Sequence, residues 1–134
     1  MGQVIYLEPY LIAKEEEIRH YSLQVFPWSQ IEEVKTTYFE PLTRFWTKQR
    51  RIMLDEATVR LLFEAFALGF KGQRLKLDQD RLVKQYQPTL DRMVERIISD
   101  FDLFRGLSSW KREAIEALFV KLTMCWFLKG SEFA

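Results

Sequence analysis

His20 is the single histidine of the chain, so any imidazole chemistry must use it. The stretch "EIRH" sets Glu17 and His20 at i and i+3, which is half of a carboxylate di-iron motif. That motif needs a second Glu-x-x-His on another helix, and this chain has no second histidine to supply it. Paired-histidine zinc sites fail for the same reason, and a Ser–His–Asp or Cys–His pair would have to draw on His20 alone. Among Glu15, Glu16, Glu17 and Arg19, His20 reads as a surface histidine on a solvated face. Cys125, the single cysteine, stands in "LTMCWFL". A reactive thiol needs an electropositive, partly exposed place, so Cys125 reads as an inert buried one. Asp78 and Asp80 lack the further ligands, central glycine and closing glutamate of a calcium loop, and read as helix caps. There is no G-x-G-x-x-G and no phosphate-binding loop. No catalytic set, metal site or cofactor is expected.

The residues suited to binding are more numerous. "TRFWTKQRR" puts Arg44, Lys48, Arg50 and Arg51 around Phe45 and Trp46. If the stretch is helical, Arg44, Lys48 and Arg51 share one face at i, i+4 and i+7, while Phe45 continues a core stripe. Lys71, Arg74 and Lys76 follow on a basic, glycine-flanked segment. Such cations can hold phosphates by counterion release. They can equally meet an acidic partner or the acidic residues of this chain. Trp28, beside Pro27, and Trp110, near the start of the last helix, are the expected exposed protein-contact anchors, with Trp46 as a third.

The elements that must position these residues are all helical in pattern. The chain has 134 residues, 48% of them apolar and 15% aromatic, and a net charge of +1. That suits one domain with a real core. Residues 1–40 carry a net −4, residues 41–84 a net +5, and residues 85–134 none. Leu11, Ile18 and Val25 repeat every seven residues, with Tyr21 or Ser22 between the last two. Pro27 ends that helix. Ser29 and Glu32 have capping-box spacing. Ile31, Val34, Tyr38, Leu42, Phe45 and Ile52 then make a second stripe, interrupted at Pro41. Asp55 reads as the cap of a third helix, "EATVRLLFEAFALGF", apolar nearly all round and therefore central. Gly69 and Gly72 are expected to stop it. "KGQRLKLDQD" reads as a loop, Asp78 or Asp80 as the next cap, and Pro88 as an interruption. Gly106 marks a turn and Ser109 the cap of the last helix.

No alternating strand pattern, repeat or linker appears. The expectation is an all-α fold, a single compact bundle of about five to seven helices, two of them kinked or broken at prolines. Residues 1–129 form the domain, and residues 130–134, "GSEFA", read as a tail left by cloning. One cysteine, no apolar run near the ~18–20 residues of a membrane span, and no basic-then-apolar leader point to the cytoplasm.

Two short stretches resemble nucleic-acid motifs. "GFKG" (69–72) is similar to the G-x-x-G loop of KH domains, which also require a sheet that this pattern lacks. Ala65 and Gly69 stand four apart as in a helix-turn-helix, but Asp78 falls where that motif wants an apolar residue. The expected function is a non-enzymatic helical interaction domain whose partner is another protein or a second copy of itself. The alternative is nucleic-acid binding through residues 44–51 and 71–84.

Overall fold

The computed structural model describes residues 16–17, 19–73 and 78–133. Among them every regular element is helical and no strand occurs. The chain is all-α. Helix α1 covers residues 19–25. Helix α2 is Ser29–Val34, continued by a π-helical turn, Lys35–Phe39, and a 3-10 turn, Glu40–Leu42. Then come the long helices α3 (Lys48–Gln73), α4 (Gln79–Asp100) and α5 (Ser109–Phe133).

Two helices organise the rest. The Arg50 side chain donates to the Arg105 carbonyl, just ahead of α5, so α3 and α5 begin at the same end and run parallel. Farther along they cross at glycines. A Cβ on Gly69 would lie 1.8 Å from the Phe127 carbonyl oxygen, and one on Gly130 would lie 2.0 Å from that of Phe66. The two backbones touch there, which no larger residue allows. Gly69 and Gly72 therefore do not end α3, which runs on to Gln73. Gly72 makes room for Leu82 and Tyr86 of α4. Gly130, assigned above to a cloning tail, is buried within α5, and the Phe133 ring lies 5.7 Å from Phe66.

Helix α4 runs back antiparallel to α3. Asp78 caps it by accepting from the Arg81 N–H at 2.9 Å, as its position suggests. Pro88 lies inside this helix. The connection to α5 is tight. Asp102 and Gly106 take positive φ, 48° and 73°, conformations that aspartate tolerates and glycine adopts freely. Leu103 and Leu107 are buried as plugs. Ser108, not Ser109, holds the cap position of α5, since its carbonyl accepts from the Arg112 N–H.

Several sequence expectations change here for identifiable reasons. In α1 the core face is Ser22 and Phe26, while Tyr21 and Val25 are exposed; Leu11 and Ile18 lie outside the described residues. The Ser29–Glu32 capping box does not form: Trp28 takes the cap position in helical backbone with no side-chain bond. The first amide donors are taken instead by the carbonyls of Pro27 and Trp28. The π-helical turn then inserts one residue into the stripe. An α-helix would put Tyr38 four residues after Val34, on the core; the wider turn puts Phe39 there. Phe39 is buried against Phe119 at 5.6 Å and Tyr38 is exposed. Thr47, not Asp55, caps α3, its hydroxyl accepting from the Arg50 N–H at 3.2 Å. Asp55 sits in the second turn of that helix.

Candidate functional site

Helix α3 is apolar on more than its core face. Leu54, Ala57, Leu61, Ala65 and Phe66 are buried between α2, α4 and α5. Ile52, Val59 and Phe63 form a second stripe at i, i+7 and i+11 on the side toward α2. Trp28 leans on that stripe from the start of α2. Its ring stacks on Phe63 at 6.2 Å with planes 12° apart and meets Phe26 edge-on at 4.5 Å. Its indole N–H points to the Leu23 carbonyl at 3.4 Å. Trp28 nevertheless remains 50% exposed. Between α2 and α3 this leaves a groove of about 380 Å³, with Trp28, Ile52, Val59 and Phe63 as apolar wall and Lys35, Asp55, Glu56 and Arg60 as rim. The stripe extends roughly 16 Å along α3, at 1.5 Å per residue.

The wall is held firmly. Arg19 lies 5.2 Å over the Phe63 ring and is paired through its two terminal guanidinium nitrogens, Nη1 and Nη2, with Glu64. That pair is solvated and contributes little by itself, but it sets the Arg19 guanidinium across the Phe63 ring. Asp55 borders a polar notch with Glu32, Lys35 and Arg51. Partial burial, helped by the charge of Glu32 and opposed by Lys35 and Arg51, raises the Asp55 carboxyl above its ordinary pKa. The native state therefore holds this proton more tightly than the unfolded chain. The stabilising contribution is fully present at pH below the ordinary aspartate value and is lost as pH rises through the raised one. Asp55→Asn is expected to melt higher than the wild type at neutral pH, with the gain vanishing at about pH 3, below the aspartate range. Thermal melts at the two pH values check this; a wild type that is the more stable at neutral pH contradicts it.

The basic residues take a different arrangement from the one expected. Arg44 is in the turn before α3 and does not share a helical face with Lys48 and Arg51. Phe45 is 92% exposed and continues no core stripe, because the π and 3-10 turns end the α2 segment before it. Arg51 turns back to donate to the Thr43 carbonyl at 2.9 Å and to that of Arg44. Arg50 donates to Arg105 and covers the Trp46 ring at 4.8 Å, which leaves Trp46 half-buried. Lys71 belongs to the last turn of α3 and to no loop; Arg74 and Lys76 lie outside the described residues. Lys48 and Lys71 stand at opposite ends of α3, roughly 35 Å apart, so these two cations do not form one patch.

Trp110 is 60% exposed, with Lys111 Nζ 5.7 Å from its ring. His20 is exposed, 3.4 Å from Gln24. Cys125 is exposed, contrary to the buried thiol expected. Helix α5 turns Phe119, Leu122, Thr123 and Trp126 inward, and residue 125 falls on the outer side. A maleimide is expected to modify Cys125 completely in the native protein, without denaturant, as mass spectrometry would show; protection until unfolding contradicts it. Among the described residues no group of three or more His, Cys, Asp and Glu side chains could hold a metal ion, and no helix is long and apolar enough to cross a membrane.

No protein-family model, curated protein or solved structure matches this chain. Its function must be argued from its own surface. Of the groove residues, Ile52 was assigned to a core stripe by sequence reasoning and is instead exposed, while Val59 and Phe63 were not singled out. Their heptad-like spacing beside the core stripe was the available signal.

Proposed function

We propose that the chain is a non-enzymatic helical protein-interaction domain, an adaptor, regulator or subunit of a larger assembly, working in the cytoplasm. The observation that carries this is Trp28: a tryptophan half-exposed over an apolar groove and held in a fixed orientation by Phe26, Phe63 and the Leu23 carbonyl. Rigid aromatic anchors of this kind dominate protein–protein contacts, because they bury much area and lose little conformational entropy on binding. The groove suits an amphipathic helix of two to three turns from another protein or from a second copy. Its apolar side chains would meet Val59 and Phe63, and its mixed charges would meet Asp55, Glu56, Lys35 and Arg60. The single cysteine fits a reducing compartment.

The test is affinity capture from the native host with nuclease present, followed by titration of the recovered protein. Trp28→Ala is expected to weaken binding by about thirtyfold or more, the loss typical of a contact hot spot. Unchanged affinity for Trp28→Ala, or capture that disappears with nuclease, contradicts the reading.

A further inference from the structure

We propose that the end of the bundle where α3 and α5 begin docks on an anionic lipid surface, with Phe45 as the side chain that enters the bilayer. The inference goes beyond the groove and rests on Phe45, Arg44 and Lys48, none of which lines it.

Residues 41–53 contain Arg44, Lys48, Arg50 and Arg51 and no carboxylate. Arg50 and Arg51 bond backbone carbonyls but keep their charge. Because α3 and α5 are parallel and start side by side, the positive ends of both helix dipoles point the same way. Out of this end projects Phe45, at 92% exposure the most exposed large apolar residue among those described. Arg44 precedes it and Lys48 follows within a turn. Ile52 and Met53, both exposed, lie one turn along α3. Trp110 and Lys111 stand in the first turn of α5. Glu32, Glu40 and Asp55 share the notch beside Arg51 on the α2 side, and Asp102 is paired with Arg105 at 3.4 Å, so Arg44 and Lys48 are the cations left facing outward beside Phe45.

The turn is fixed before any ligand arrives. Arg51 ties the carbonyls of Thr43 and Arg44 to α3, and Thr43 bonds back to the Phe39 carbonyl at 3.0 Å. A rigid turn thus presents a phenyl ring to solvent beside cations. A protein partner would have to supply a pocket for that ring, and single-stranded nucleic acid is held by a groove lined with several stacking rings. A bilayer offers apolar volume to any projecting ring and phosphates to cations on either side of it. One apolar contact or a few cations alone bind membranes weakly, and the two contributions add when they meet the same surface.

The experiment is sedimentation of the full chain with vesicles of phosphatidylcholine alone or with phosphatidylserine added, at low and at raised salt. Binding is expected only to the vesicles containing phosphatidylserine and is expected to fall as salt is raised. Phe45→Ser should weaken it roughly tenfold, and each cation removed at Arg44 or Lys48 roughly fivefold. All three side chains are exposed, and circular dichroism of the variants verifies that they fold. Trp28→Ala, in the groove, should bind vesicles like the wild type, so failure of the lipid inference and failure of the groove reading are separate results. Absence of vesicle binding, equal binding to both lipid compositions, an unaffected Phe45→Ser variant, or binding of an acidic protein or nucleic acid at this end instead of vesicles would each overturn the proposal.

Discussion

Gly69→Ala is expected to destabilise the chain by roughly 3 kcal/mol, and Gly69→Leu to prevent the native bundle from forming. The sign decides between two effects. Within a helix, replacing glycine by alanine ordinarily gains about 1 kcal/mol through the lower entropy of the unfolded chain. Here the added Cβ would stand 1.8 Å from the Phe127 carbonyl oxygen. That atom is backbone and cannot swing aside as a side chain would. Helices α3 and α5 would have to separate along a contact that includes Phe66, Phe119 and Phe127, all fully buried. Gly130→Ala meets the Phe66 carbonyl in the same way and is expected to cost a similar amount. Gly106→Ala is the control: nothing lies within 4 Å of its Cβ position, so only the left-handed backbone penalty of about 1 kcal/mol applies. Urea unfolding of the three variants measures this. A Gly69→Ala protein as stable as the wild type would mean that α3 and α5 do not meet there.

The second large effect concerns the π-helical turn. Phe39→Ala is expected to cost about 3–5 kcal/mol, the range for a fully buried phenylalanine, since its ring packs on Phe119. Tyr38→Ala should change stability by no more than about 0.5 kcal/mol, as an exposed position does. Chemical denaturation of the pair distinguishes the two registers. If Tyr38→Ala is the costlier substitution, the turn is an ordinary α-turn and the segment is rotated by one residue.

That pair also shows what a sequence can and cannot reveal. Helical periodicity exposed the class of fold, and the nearly continuous apolar surface of "EATVRLLFEAFALGF" marked α3 as central, because these depend on composition averaged over many residues. Asp78 was legible as a cap because its bond to the Arg81 N–H is local. The register after Val34 was not legible. One inserted residue is chosen by packing against Phe119, which lies eighty positions away, and it reverses the fates of Tyr38 and Phe39. Phe45 was misplaced for the same reason. The two helical glycines looked like stops because glycine ends many helices, and only the crossing of α3 with α5 shows that they are contact points. Cys125 was assigned to the core because its neighbours are apolar, yet even a helix that packs along much of its length keeps an outer side. For the candidate site, Trp28 was legible as an exposed aromatic from its place beside Pro27. The wall it leans on required knowing that α2 runs antiparallel to α3.

The central claim is that the Trp28 groove is the surface by which this chain meets another protein. Hydrogen–deuterium exchange of the chain, alone and with its captured partner, tests it most directly. Slowed exchange is expected in residues 28–35 and 52–63, the two sides of the groove, with residues 109–125 unchanged. Protection confined to α5, or none on either side of the groove at saturating partner, would contradict the account.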